Sequence, residues 1–448
     1  MTGAKLITAK NVSGVVEKAS AIHRQNAEEI RYLWKYYRGD QPILKRTKAV
    51  RPEICNKIVE NRANEIVSFK VGYLCGEPIQ YVGRTGEESV TTAIARLNEF
   101  MFACKKAARD RELVEWQMIC GTAYRLVLPA KSADAPSPFE VFTLNPDATY
   151  VIYSADYRKR PLAGVLEFKD ENGDLVSGVY TEDRYFEVKD GSIIQSNPHA
   201  LGMVPIIEYP ANNARLGSFE IVLPLLDTIN RMASNRMDGV EQFIQSFVKF
   251  INCDIDEKQF AALKEMGAIK VKSLDSLPAD VEIVTSEMNQ TQSQVMVDDL
   301  YQAVLEICGM PNRNGGSSTS DTGAAVIMRD GWSAAEARAK DSETIFKQSE
   351  QEFLRLVLRI CADTDGLALR ACDVDMKFTR RNYEAIQSKA QVLISMLDNP
   401  KIHPLLSFTH CGMFSDPESA YKMSDAYYRE NLEKWDPVEV DADAEQGA

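Results

Sequence analysis

The stretch Leu216–Phe247, LGSFEIVLPLLDTINRMASNRMDGVEQFIQSF, decides how the chain is read. Val222, Leu225, Leu226, Ile229, Met232, Ala233, Met237, Val240, Ile244 and Phe247 recur every three or four residues. That is the period of one face of an α-helix. Pro224 suits the first turn, where a missing N–H costs nothing. A helix over Phe219–Phe247 would be about 43 Å long, well beyond the usual three turns. Outward on the C-terminal side, a compact insertion reads as strand (VKFINCDI), helix (Asp256–Met266), strand (AIKVKS) and strand (VEIVT). A returning helix then covers Asn289–Cys308, with Val297, Leu300, Tyr301, Val304, Leu305 and Cys308 on one face, and Gly309 and Pro311 end it. Two long helices joined by a small tip form a stalk whose stripes need partners. Head-to-tail packing of identical stalks would supply them and close a ring. Burial against the chain's own domains is the alternative.

On the N-terminal side the period changes. YRLVL, FEVFTL, TYVIY, AGVLEF, SGVYT and RYFEV, between Ala123 and Tyr209, alternate between clusters of Pro, Gly, Asp and Asn. They read as short, mainly antiparallel strands. Before them come helices over Ala21–Tyr37, from Asn56 to about Lys70 with Asn56 as cap, over Val90–Lys106 and over Glu112–Cys120, with a strand and turn in Tyr73–Tyr81. The fold class is therefore α+β. Beyond the stalk, NRNGGSSTSDTG (Asn312–Gly323) has loop composition. A long helix over Ala324–Cys361 should kink at Asp330-Gly331. A strand over Asp373–Arg380 and helices over Glu384–Leu397 and Pro417–Leu432 complete the chain.

Composition excludes several classes of function. The 448 residues carry a net charge of −13. An acidic chain is a poor tight binder of nucleic acid, because such affinity comes largely from Lys and Arg releasing counterions. Charge is uneven: 14 basic residues against 7 acids in 1–70, and seven acids against one Lys in 430–448. The nine cysteines have no C-x-x-C pair and read as small apolar filler in a reduced protein. No stretch is long and apolar enough for a membrane span. There is no phosphate-binding G-x-x-x-x-G-K-[ST], no G-x-S-x-G and no H-E-x-x-H. The Asp pairs 254/256, 363/365, 373/375 and 441/443 have the spacing to share a cation, but read more simply as caps and turns. The expectation is a non-enzyme without cofactor or metal.

Six segments in one order resemble the portal proteins of long-tailed phages. They are RYLWKYYRGDQPI (Arg31–Ile43), NKIVENRANEIVSFKVGYLCGEPIQY (Asn56–Tyr81), and ICGTAYRLVL with NPDATYVIY (Ile119–Leu128, Asn145–Tyr153). LGMVPIIEYPANNARLGSFEIVLPLLDTIN (Leu201–Asn230), MPNRNGGSSTSDTGAAVI (Met310–Ile327) and FTRRNYEAIQSKAQ (Phe378–Gln391) follow. The fifth departs from the family's usual Ser-Gly-x-Ala-Leu. The resemblance implies a mixed wing (1–216), a stem helix (217–247), a small αβ clip (248–288) and a second stem helix (289–309). A tunnel loop (310–323), a kinked tunnel helix with a return to the wing (324–382), and a helical crown with an acidic tail (383–448) would follow. It implies a ring of about twelve copies at one capsid vertex of the virion, assembled in the host cytoplasm. Its partners would be terminase, major capsid and scaffolding proteins, head-completion or connector proteins, and double-stranded DNA passing without sequence readout. Asn312, Arg313, Asn314, Ser317, Ser318 and Thr319 would face the DNA. Leu226, Ile229, Met237, Ile244, Leu300 and Val304 would line the stem interface. The basic stretch Lys45–Arg51 would meet scaffolding, capsid or a neighbouring subunit.

Overall fold

The computed structural model describes residues 6–85, 87–132, 134–244, 247–251, 280–284, 290–312, 331–380, 386–414 and 417–431. The chain divides into two compact units: Met1–Trp34, Ile66–Glu220 and Gly309–Ala448 in the first, Lys35–Glu65 and Ile221–Cys308 in the second. The class is α+β, as the change of period indicates. No helix among the described residues is long and apolar enough to cross a membrane.

The first unit is built on two antiparallel sheets. One is a meander of β4 (Thr149–Tyr153), β5 (Pro161–Lys169), β6 (Leu175–Tyr180), β7 (Arg184–Lys189) and β8 (Ser192–Pro198). The other has the order β3-β2-β9: β3 is Phe139–Leu144, β2 Thr122–Pro129 and β9 Ile206–Pro210. Helix α1 (Val12–Tyr37) lays Val12 and Val16 on Ile152, Val165, Val179 and Phe186 of the meander. It therefore starts nine residues before the expected Ala21. Three valines and Gly14 lower the local helix propensity, and burial on the sheet overrides it. On the meander's other face Leu166 and Tyr180 meet Tyr124, Leu126 and Ile206 of the second sheet. The sheets come closest at Gly164, where a Cβ would lie 2.4 Å from that of Ile206. Gly164→Val should cost about 1–3 kcal/mol by overpacking, read as a lower melting temperature.

Helix α2 (Arg62–Cys75) leads to β1 (Gln80–Gly83), which pairs with β12 (Val374–Lys377). The expected strand at Tyr73 thus begins later, because the helix runs to Cys75. Helices α3 (Glu88–Ala103) and α4 (Lys106–Cys120) follow, with Lys105 in the left-handed region between them. Gly121 (φ 77) ends α4 as expected, and a Cβ there would meet the Arg215 carbonyl. Helix α4 packs on β2, as does the 34-residue helix α7 (Trp332–Asp365), which also packs on β9. Gly331, where a kink is expected, has φ 78, and α7 starts at Trp332; residues 324–330 of the expected helix lie outside the described residues. Helices α8 (Ile386–Leu397), α9 (Pro404–His410) and α10 (Pro417–Glu430) pack in sequence on one another. The short α9, not foreseen, starts at Pro404 behind a cap in which the His403 Nδ1 accepts the Leu405 N–H.

The second unit contains α5 (Leu223–Ile244), strands β10 (Phe247–Ile251) and β11 (Asp280–Val284), and α6 (Gln290–Cys308). The strands pair antiparallel and α5 packs on α6. Both expected helices are present, and of the expected insertion strands those at VKFI and VEIV are among the described residues. The expected tip helix Asp256–Met266 and strand AIKVKS lie outside the described residues.

Candidate functional site

Three features of the structure bear on function. The first is the base of the segment 313–330. Helix α6 ends at Gly309, whose φ is 65 and whose Cβ would lie 2.7 Å from the Arg338 Cγ. At the return, a Cβ on Gly331 would lie 3.8 Å from both the Met310 carbonyl oxygen and the Pro311 Cα. The chain therefore comes back to the point it left. Trp332, the first residue of α7, sits 6.1 Å from the rings of Phe69 and of Tyr73. The Tyr73 hydroxyl donates to Glu336 (2.8 Å), which is paired with Arg380 (2.6 Å). The base is thus tied to α2 and to the residues after β12. Asn312 is half-buried, while Arg313, Asn314, Ser317, Ser318 and Thr319 lie outside the described residues.

The second feature is the helix pair α5/α6. Of the six expected interface residues, Leu226, Ile229 and Val304 are at most 2% exposed within the single chain. Within the single chain these three are covered by the chain's own residues. Leu300 is half-buried and Met237 is 42% exposed; the Ile244 side chain is outside the described set. Val240, Val295, Met296 and Ile307 are exposed apolar side chains on the same two helices.

A second face of α5 is polar and buried, and the sequence reading missed it. Asn230, Ser234 and Asp238 follow one another at four-residue spacing and are at most 3% exposed. Each accepts a backbone N–H from an extended strap: Glu60 to Asn230 Oδ1 (2.8 Å), Ile58 to Ser234 Oγ (2.9 Å) and Asn56 to Asp238 Oδ1 (2.7 Å). Four helical residues rise about 6 Å and two extended residues about 6.6 Å, so the two repeats stay in step. Asn56 is therefore no helix cap, as expected from its side chain, but the end of this strap; α2 begins only at Arg62. The Asp238 carboxylate also pairs with Arg46 (2.9 Å) and Lys48 (3.0 Å). Burial alone would raise its pKa, but the Asn56 N–H and the two cations outweigh burial and hold it below the usual carboxylate value. Arg46 and Lys48, in the basic stretch whose partner the sequence leaves open, pair inside the subunit.

The third feature is a closed ring of buried charges in the first unit. Lys106 bridges Asp110 and Glu350, the latter at 2.8 Å; Arg125 bridges the same two acids, Glu350 at 3.0 Å. Exposure of the four is 0–3%. The Tyr81 and Tyr209 hydroxyls donate to Glu350 at 2.6 and 2.7 Å. Phe353 and Tyr209 lie under the Arg125 guanidinium at 4.9 and 4.8 Å. Burial would raise the Glu350 pKa, yet Lys106 and Arg125 hold the carboxyl well below its ordinary value. Cys75 nearby is pushed up to about 12, first by burial and then by Asp110, so it is an inert thiol. Two cations and two anions at alternating corners compensate one another, which is the condition for burying charge at all. Among the described residues no His, Cys, Asp and Glu group could hold a metal. Of the Asp pairs, Asp373 is engaged by Arg370 at 2.8 Å.

The family model for phage portal protein, SPP1 Gp6-like, matches residues 17–436. Among solved structures, a chain of an assembly described as "Neck of empty GTA particle computed with C6 symmetry" aligns at 11% identity and a TM-score of 0.39, over 81% of this chain and 89% of that one. No curated protein matches the chain.

Proposed function

Because the chain belongs to the phage portal protein family of SPP1 Gp6-like type, we propose that it is the subunit of a ring through which genomic DNA enters the capsid and later leaves it. The family match carries this reading, since it spans all but the first 16 and last 12 residues. The role is structural: packaging energy comes from a separate terminase, which docks on the clip (248–288), and connector proteins take that position afterwards. The ring sits at one vertex of the virion, in contact with capsid and scaffolding proteins, and forms in the host cytoplasm.

Two physical features support a channel. A wall past which DNA must slide cannot hold phosphates tightly, and a net charge of −13 limits counterion-release binding. A segment that leaves and returns at one clamped point can contact DNA without disturbing the helices at its base. We assign Asn312–Gly323 to the tunnel wall, with Arg313 as its one cation against Asp321. The wing is 1–216, the stem helices 217–247 and 289–309, the tunnel helix with the wing return 324–382, and the crown 383–448. Arg313→Asp should leave ring assembly unchanged and reduce the DNA packaged or retained per particle, measured as genome content of purified heads. Normal content would remove Arg313 from the channel wall.

A further inference from the structure

Helix α7 presents a nearly repeating apolar face to β2 and β9. Phe346, Phe353, Val357, Ile360 and Cys361 are all buried, at most 4% exposed, and recur every three or four residues around Glu350. Such a face does not fix its own position. Sliding the helix by one turn, about 5.4 Å, still sets apolar side chains against the sheet, with Val357 where Phe353 stands and Phe353 where Glu350 stands. Glu350 is the one charged residue among those buried on the helix, with the small polar Ser349 buried beside it. In the observed position both of its oxygens are used, Oε1 by Lys106 and Tyr81, and Oε2 by Arg125 and Tyr209. One turn away, Phe346 or Phe353 would stand there instead. Lys106 and Arg125 would then face Asp110 alone, two cations against one anion, and the Tyr81 and Tyr209 hydroxyls would lose the acceptor of their protons in a site buried from solvent. Glu350 would be buried elsewhere without a cation.

We propose that Glu350 is a positioning residue that sets the register of α7 on the β2–β9 sheet, with Lys106, Asp110 and Arg125 as its lock. An all-apolar replacement of buried ion pairs commonly keeps or raises stability, so stability is not what the charges add here; a single buried polar position in an apolar stripe selects one alignment. The assignment concerns packing inside one chain and stands whether or not the protein forms a channel.

The test is a distance measurement between nitroxide labels on cysteines placed at the exposed positions Thr92 of α3 and Gln351 of α7, in a background whose accessible native thiols are replaced by serine. The variant combines Lys106→Met, Asp110→Leu, Arg125→Met and Glu350→Leu with Tyr81→Phe and Tyr209→Phe, so that no polar group is stranded. The unsubstituted protein should give one narrow distance. The variant should fold and give a second population displaced by about one turn, 5.4 Å. Glu350→Leu alone serves where the sixfold variant does not fold: every register then strands the same two cations, the discrimination is gone, and the second population should again be present. One narrow distance at the unsubstituted value in the folded variant, or in Glu350→Leu, overturns the proposal.

Discussion

Glu350→Gln should lower the stability of the first unit by about 3–5 kcal/mol, the cost of breaking a buried ion pair and leaving its partner charged. The amide keeps the shape, but its single oxygen can accept from only one of Tyr81 and Tyr209, which donate to different oxygens of the carboxylate. It leaves Lys106 and Arg125 facing Asp110 alone, a net buried positive charge. The effect should also depend on pH, in a direction fixed by the sign of the shift. Glu350 is held below its ordinary pKa in the folded chain. A carboxyl of that kind stabilises fully above its unfolded value of about 4.3 and loses that contribution as pH falls toward the folded value. The groups facing it are Lys106 and Asp110 of α4, Arg125 of β2, Tyr81 of β1 and Tyr209 of β9. Thermal melts between pH 7 and pH 3 should show the gap between the parent and Glu350→Gln narrowing below about pH 4. A constant gap would mean that charge at Glu350 is not what the substitution removes.

Asp238→Ala should detach the end of the strap on α5. The carboxylate receives the Asn56 N–H and pairs with Arg46 and Lys48; its removal takes the acceptor from the backbone donor and from Lys48, while Arg46 keeps the Asn56 carbonyl and the Asn235 amide oxygen. Hydrogen bonds to a charged acceptor contribute about 1.5–3 kcal/mol each, and a local loss of about 2–3 kcal/mol is expected. The direct readout is limited trypsin digestion: cleavage at Lys48, Arg51 and Lys57 should quicken at least tenfold over the parent. Ser234→Ala, which removes one rung without stranding charge, should give a smaller acceleration at the same sites. Equal digestion of parent and Asp238→Ala would show that the strap is held by other contacts.

The sequence revealed the elements whose pattern is local. The helical period in Val222–Ile244 and the alternation in β3–β7 both follow from burying one face of a regular element, and they are found within a few residues of their positions. Errors fell where tertiary contacts outweigh local preference. Val12 and Val16 are poor helix formers, but the meander buries them, so α1 begins nine residues early. Asn56 has the side chain of a cap, but its N–H belongs to Asp238, 182 residues away. The polar face of α5 was partly legible, since Asn230, Ser234 and Asp238 stand at four-residue spacing beside the apolar stripe. The charge ring was not. Lys106 and Asp110 form an ordinary helical pair, and nothing local to Arg125 or Glu350, 225 residues apart, indicates that they meet. An apolar stripe shows that a residue is buried, but not whether its own chain or a neighbour covers it.

The central claim is that this chain forms a closed ring around a channel. Negative-stain electron microscopy of the purified protein, with native mass spectrometry on the same sample, tests it most directly. Ring-shaped particles of about a dozen subunits with an open centre are expected, in which Met237, Val240, Val295 and Met296 become protected from solvent. A monodisperse compact dimer, with no ring at any protein concentration or in the presence of scaffolding protein, would contradict it.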